Sequence, residues 1–301
     1  MPHHRDWFQE LFGVPEPCYE DVKHLLTVDG EFMTSSANNA TYRIGTFETP
    51  SLEELRCRGA GLLADLPGKL TGPACSICCG PSTAYRNYFH PLVGADGTLQ
   101  YGQTAKNQVN NLQDLCEVLG NKPLGRYFDV KNGYTLAADS GLKNLNSNLS
   151  QVDSEGKERL KGLLRVGVHW DAGVTSAKWG TVQIRDEDQV VTQVFSSACA
   201  VAYSGNNRAL WAPFASLVLD ASYEATLWAA VINAHRHNGQ HGSKIVYLTA
   251  VGGGVFGNSF EWIARALETT FKKFKNVDLD VRINMFSPPV DPRIQRLATE
   301  T

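Results

Sequence analysis

The residues with the clearest chemical potential lie late in the chain. Gly252-Gly253-Gly254-Val255-Phe256-Gly257-Asn258 follows the apolar stretch Lys244 to Val251 and leads into Ser259 to Lys272, whose apolar residues recur at helical spacing. Glycines let a backbone approach a phosphate closely, and the unpaired N–H groups and dipole at the start of a helix favour negative charge. The chemistry is therefore anion binding, and a Gly-rich strand-to-helix turn without a ligand is the alternative for the run taken alone. No Gly-Lys-Ser/Thr follows, so this is not a Walker A loop, and a dinucleotide fingerprint has different spacing.

Carboxylates are the second signal. Asp220 and Glu224 stand four apart in the otherwise apolar Leu217 to Leu227, which puts them on one helical face. Like charges so placed repel, so compensation is expected from a paired-acid site, a cationic substrate or solvent. Glu54 follows Ser51 at the spacing of a capping box and is a candidate acid as well as a helix cap, with Glu53 beside it. Asn38 and Asn39 carry amides that suit sugar hydroxyls or a turn. Phe256 could stack on a sugar or pack in the core, Asn258 could cap the next helix, and Asp171 reads as a turn residue. The His235-x-His237 and Cys75-x-x-Cys78-Cys79 spacings, with His241 and Cys116 further off, lack a second pair at zinc spacing, so no metal is expected.

Elements must hold these groups in place. Asp6 to Phe12 and Tyr19 to Leu26 read as short helices, and the segment from Glu31 reads as a strand running into a polar loop. A helix opens at Ser51. The stretch 105–120 has amphipathic helical spacing through Val109, Leu112, Leu115, Val118 and Leu119. Lys161 to His169, Val190 to Tyr203, Lys244 to Val251 and Val277 to Phe286 read as strands, and Pro213 to His235 as a long helix. Strand alternating with helix implies an α/β fold.

The 301 residues carry 28 Lys and Arg against 31 Asp and Glu, a net charge of −3, with 43% hydrophobic residues. That profile suits a globular chain and offers no basic footprint for a nucleic-acid backbone. Asp220 and Glu224 interrupt the most apolar stretch, Ala212 to Ala234, so no membrane span is expected. The N-terminus lacks the pattern of a secretory signal, and an odd count of 7 cysteines does not form a paired framework. A cytoplasmic chain with mostly reduced thiols is the expectation.

Several phrases then point to a family. Gly254-Val255-Phe256-Gly257 after an apolar strand, with a long helix before it and an amphipathic one after, resembles the diphosphate loop of macrodomains, over roughly residues 190–286. Ala37-Asn38 followed by Leu52-Glu53-Glu54-Leu55 is similar to the ribose loop and Gln-Glu-Glu of poly(ADP-ribose) glycohydrolases, with Leu52 in place of Gln. Phe47 to Leu52, Val191 to Ala198, Asp220 to Leu227 and Gly253 to Asn258 together resemble the MavL-type group of arginine ADP-ribosylhydrolases.

The resemblance implies one macrodomain-like domain over 1–301, a mixed sheet sandwiched between helices. It would comprise an N-terminal lobe (1–56), a helical and loop insertion (about 57–160) and a core (about 161–290). It further implies an ADP-ribosylhydrolase whose partner is an ADP-ribosylated protein, with arginine the first linkage and ubiquitin a candidate carrier. Non-catalytic ADP-ribose reading and poly(ADP-ribose) cleavage are the alternatives. In this scheme Gly252 to Asn258, Asn38 and Asn39 bind ADP-ribose, and Asp220, Glu224 or Glu54 serves the water. No cofactor is needed.

Overall fold

The computed structural model describes residues 6–60, 71–72, 78–94, 96–104, 107–121, 125–131, 133–177, 180–196, 198–240, 242–285 and 290–300. In chain order the elements begin with α1 (Trp7–Phe12), α2 (Tyr19–Leu25), β1 (Leu26–Asp29), β2 (Phe32–Ser35), β3 (Thr41–Arg43), β4 (Thr46–Glu48), α3 (Leu52–Ala60) and β5 (Thr71–Gly72). There follow α4 (Gly80–Ala84), a π turn at Tyr85–Phe89, β6 (Pro91–Val93), β7 (Leu99–Tyr101), α5 (Gln113–Val118), β8 (Asp129–Lys131), β9 (Tyr134–Leu136), α6 (Asp139–Ser150) and α7 (Ser154–Gly162). Next come β10 (Gly167–Gly173), β11 (Ser176–Ala177), β12 (Val182–Gln183), β13 (Val190–Phe195) and a 3-10 turn at Val201–Ser204. The last elements are α8 (Arg208–Arg236), β14 (Ile245–Thr249), α9 (Phe260–Phe274), β15 (Asp280–Asn284) and α10 (Pro292–Glu300). The fold is α/β, with parallel and antiparallel strand pairs.

The chain forms two compact units, one of residues 1–48, 72–109 and 168–193, the other of 49–71, 110–167 and 194–301. Each therefore draws on all three expected segments, the N-terminal lobe, the insertion and the core.

In the first unit α1 starts because the Asp6 carboxylate accepts from Phe8 N and Gln9 N, and it stops at Gly13, whose φ of +85° only glycine adopts freely. Phe8 and Phe12 then meet edge-on and, with Val22, Leu26, Met33 and Ile44, form the core beneath the antiparallel sheet β1-β2-β3. A second strand run has the order β13-β10-β4, with β10 buried along its whole length and antiparallel to β4. Asp171 lies inside β10, buried and with a φ of +55°, rather than in the expected turn. Gly45 makes that crossing feasible, because a Cβ there would lie 2.0 Å from the Trp170 carbonyl oxygen.

The second unit is built round α8. Asn207 caps it by accepting from Ala209 N, so the helix starts before the expected Pro213, which falls in its second turn. The helix is apolar on nearly every side, and α3, α6, α7 and α9 all pack against it. By length and composition it could cross a membrane, yet 83% of its most apolar stretch is buried inside the fold. Leu219, Tyr223, Leu227 and Val231 meet Ile263, Leu267 and Phe274 of α9 and Val246 and Leu248 of β14. β14 runs parallel to β15 on one side and to β5 on the other. Gly59 lets α3 approach, since a Cβ there would meet the Trp228 ring at 2.3 Å.

Local hydrogen bonds explain where elements differ from expectation. The helix expected over 105–120 is confined to Gln113–Val118, because the Asn110 side chain accepts from Leu112 N and turns the backbone; residues 105–106 lie outside the described ones. The strand expected from Lys161 begins only at Gly167, because α7, capped by Asp153 through Gly156 N, runs through Gly162. The strand from Val190 ends at Phe195, and the one expected over Val277 to Phe286 is Asp280–Asn284, with Phe286 outside the described residues. Cys18, Cys57, Cys79, Cys116 and Cys199 are free thiols, whereas Cys78 is disulfide-bonded, an exception to the expected reduced state.

The capping box at α3 is present in full. Ser51 N donates to the Glu54 carboxylate at 2.6 Å, and Glu54 N donates to the Ser51 hydroxyl at 3.2 Å. Replacing Ser51→Ala is expected to lower stability by about 1 kcal/mol in urea denaturation. An unchanged midpoint would mean that packing alone holds this helix end.

Candidate functional site

The glycine loop between β14 and α9 has a defined internal structure. Gly252 and Gly257 adopt φ of +74° and +72°, and an added Cβ would meet Ala198 at 2.4 Å and Ala202 at 2.9 Å respectively, so both glycines are required by the loop itself. Asn258, only 3% exposed, closes it by donating its side-chain amide to Cys199 O at 2.8 Å and its backbone N–H to Gly252 O at 2.9 Å. The cap of α9 is the next residue, Ser259, which accepts from Glu261 N. At the start of the loop Tyr223 of α8 donates to Thr249 O and accepts from Val251 N.

The middle of the loop is different. Gly253 N and Gly257 N are used internally, but among the described residues no acceptor meets the N–H groups of Gly252, Gly254, Val255 and Phe256. Val255 is 77% exposed, and nothing stands within 4 Å of where a Gly254 Cβ would be. Free backbone donors in a loop with open space beside it are what a phosphate requires. Phe256 is half-buried in an aromatic trio, edge-on to Tyr203 and Tyr134 with ring centroids 5.5 and 5.9 Å away, and its carbonyl accepts from Ala202 N at 3.0 Å.

Asp220 and Glu224 come together as expected, and their compensation comes from cations of the protein. Arg56 of α3 forms a two-point pair with Glu224 at 2.7 and 3.1 Å, and Lys273 of α9 adds a third contact at 2.6 Å. Asp220 pairs with Arg265 at 3.1 Å and Lys161 at 3.4 Å. Glu158 of α7 joins the halves, touching Arg56, Lys161 and Lys273.

The two buried acids respond in opposite directions. Burial pushes the Asp220 carboxyl above the usual carboxylate range, with Arg265 and Lys161 only partly opposing it. For Glu224 burial acts upward too, but hydrogen bonds from Arg56 and Lys273 outweigh it and hold the group low. Burial likewise opposes ionisation of Glu158, and the two lysines hold it at about 2. Glu54 lies outside this network. Its carboxyl is lowered chiefly by the Ser51 backbone N–H, and Arg165 stands 3.7 Å away.

In the first unit the Asn38 amide nitrogen donates to Leu11 O at 2.9 Å and its oxygen accepts from Ala40 N at 3.0 Å, while Asn39 takes a left-handed φ of +56°. Both side chains are exposed, and Asn38 is engaged in shaping its own turn. The partners Arg56, Glu158, Lys161, Arg265 and Lys273 were not among the residues singled out by sequence, and neither was the buried pair Arg86 and His169, 2.8 Å apart. Local spacing shows only the pairs of Glu158 with Lys161 and of Glu53 with Arg56, and their contacts to Asp220 and Glu224 form across the fold. Among the described residues no group of three or more His, Cys, Asp or Glu is placed to hold a metal ion, and Cys75 and His241 lie outside those residues.

No protein-family model and no curated protein matches the chain. Among solved structures it is similar to a mutant of the poly(ADP-ribose) glycohydrolase from Deinococcus radiodurans in complex with ADP-ribose, 12% identical over 85% of this chain and 94% of that one, with a TM-score of 0.40. The poly(ADP-ribose) glycohydrolase from Thermomonospora curvata is similar at 13% identity over 89% and 92% of the two chains, with a TM-score of 0.38. In a structure of the unsubstituted Deinococcus protein in complex with ADP-ribose the match, 14% identical, spans about half of that chain, 51%, and 44% of this one, with a TM-score of 0.34.

The network makes stability depend on pH. Glu158 and Glu224 have lowered folded values, so the stability they contribute is present above their unfolded value of 4.5 and is lost as pH falls, for Glu158 toward about 2. Asp220, raised on folding, acts the other way: its cost to stability sets in as pH rises past the unfolded value of 3.8 and is complete above its raised folded value. Replacing Glu224→Gln leaves Arg56 and Lys273 without their buried partner. It is expected to cost about 2 kcal/mol, less than for a fully buried pair because Lys273 is 37% exposed. Urea denaturation at pH 7 and pH 3 checks both statements, since the penalty should shrink at the lower pH.

Proposed function

We propose that the chain binds ADP-ribose through the Gly252 to Gly257 loop and hydrolyses a glycosidic bond at its distal ribose, releasing ADP-ribose from a modified protein side chain. The observation that carries this reading is the set of N–H groups at Gly252, Gly254, Val255 and Phe256 that meet no acceptor among the described residues, together with the open space at Gly254. Such a cradle suits a diphosphate, and the sequence phrases that resemble macrodomains agree with it. The resemblance to the MavL-type group makes arginine the first linkage to test and ubiquitin the first carrier.

Hydrolysis adds water to the anomeric carbon as the carbon–nitrogen bond breaks, and the departing guanidino nitrogen keeps the electron pair and takes up a proton. Of the three acids, Asp220 has the raised carboxyl that a proton donor needs. Glu54 is lowered as well, but with 56% of its side chain exposed it can meet a water, which makes it the candidate base. Glu224 is held low by two cations and is the least suited to accept a proton.

The same ion pairs favour a second reading, ADP-ribose binding without turnover, because both buried acids already have partners. Calorimetric titration with ADP-ribose separates binding from an empty fold. Gly254→Leu should abolish binding at an unchanged melting temperature, since the added side chain meets only open space. Retained affinity would remove the loop from the reading. With arginine-ADP-ribosylated ubiquitin as substrate, Asp220→Asn or Glu54→Gln should lower kcat by roughly 100-fold with affinity kept. Binding with no turnover in the unsubstituted chain would decide for the reader.

A further inference from the structure

A cavity of about 420 Å³ opens in the second unit, within the span of roughly 300–1,000 Å³ common for small-molecule sites. Arg126, Tyr127, Asp129, Ser140, Tyr203 and Ser204 contribute to its wall, and none of the candidate residues above does. It is coupled to the glycine loop by Tyr203, which lines the cavity and also meets the Phe256 ring edge-on at 5.5 Å. The hydrogen bond from Ala202 N to Phe256 O ties the two backbones together at the same point. A ligand with its diphosphate on the loop thus has the cavity one aromatic ring away.

The polar groups of the wall define what it could take. Arg126 is its sole Lys or Arg, an exposed side chain whose guanidinium lies 5.2 Å from the Tyr127 ring centroid. Among the described residues no carboxylate forms an ion pair with it, Asp129 of the same wall included. The Ser204 hydroxyl accepts from Ala137 N at 3.0 Å and so keeps its proton to donate, and the Ser140 hydroxyl lies on the same wall. A guanidinium that no carboxylate engages, sharing a wall with two hydroxyl groups, suits a phosphoryl group with two or three acceptor oxygens.

Resting on the reading of the loop as an ADP-ribose site, we propose that this cavity receives a phosphoryl group carried by the ligand outside its diphosphate. The preferred ligand is then ADP-ribose bearing a further phosphate, either as a terminal monoester on a ribose hydroxyl or within the diphosphate of an adjoining unit joined to it through ribose. Arg126 is the specificity-determining residue, and bare ADP-ribose leaves it unpartnered.

The test is calorimetric titration of the unsubstituted chain and of Arg126→Ala with ADP-ribose, ADP-ribose 2′-phosphate and an ADP-ribose dimer. The unsubstituted chain should bind a phosphate-bearing ligand about tenfold more tightly than ADP-ribose, and Arg126→Ala should erase that difference while leaving ADP-ribose affinity unchanged. Preference for the monoester alone, or for the dimer alone, identifies the source of the phosphate. Equal affinity for all three ligands in the unsubstituted chain overturns the proposal. So does an equal loss for all three in Arg126→Ala, which would assign the cavity to ADP-ribose itself. If none of the three binds the unsubstituted chain, the loop reading fails and the proposal with it, a result distinct from binding without preference.

Discussion

The second unit depends on one constraint: a long helix, apolar on almost every side, carries two carboxylates into the interior. Asp220 and Glu224 cannot be buried as isolated charges, because the loss of hydration would cost several kcal/mol per ion. The cations that meet them come from α3, α7 and α9, three of the elements that cover α8. The network thereby selects which faces of those helices turn inward, and apolar burial by Leu219, Tyr223, Leu227 and Val231 supplies the adhesion. Tyr223, one position before Glu224, fastens the end of β14 with its hydroxyl, so the helix that needs the ion pairs also holds the base of the glycine loop.

Within that loop the glycines divide into two kinds. Gly252 and Gly257 serve the fold, since their left-handed backbones and near neighbours leave no room for a side chain. Gly254 meets nothing that a side chain would disturb, and its open surroundings together with its own free N–H and those of Val255 and Phe256 are what a ligand would use. Asn258 locks the shape from below and Phe256 ties it to the 3-10 turn at Val201–Ser204. A cradle held from both ends loses little further freedom when a phosphate arrives, which is the condition for tight anion binding by backbone alone.

The carboxylates show how neighbours decide the use of one residue type. Burial without sufficient compensation leaves Asp220 raised, whereas burial with a two-point guanidinium and an ammonium leaves Glu224 lowered, although the two stand one helical turn apart. Glu54 is lowered for a third reason, a local backbone donor at a helix start. Three acids that looked alike as candidates therefore show two protonation tendencies, Asp220 raised and Glu224 and Glu54 lowered, for three different reasons.

What the residues determined by themselves is local. The capping box of Ser51 and Glu54, the cap at Asp6, the amphipathic α9 and the strand-loop-helix around Gly252 to Gly257 were legible because each signal and its effect lie within a few residues. The α/β class followed from the alternation of such segments. The tertiary structure decided the rest. It shortened the 105–120 helix, buried Asp171 inside β10, joined Glu224 to Arg56 and Lys273, and placed Tyr203 between the loop and a cavity. These outcomes depend on contacts between residues far apart in the chain, and for a charge the energy depends on which partner and how much water it meets. Spacing along the sequence carries neither quantity.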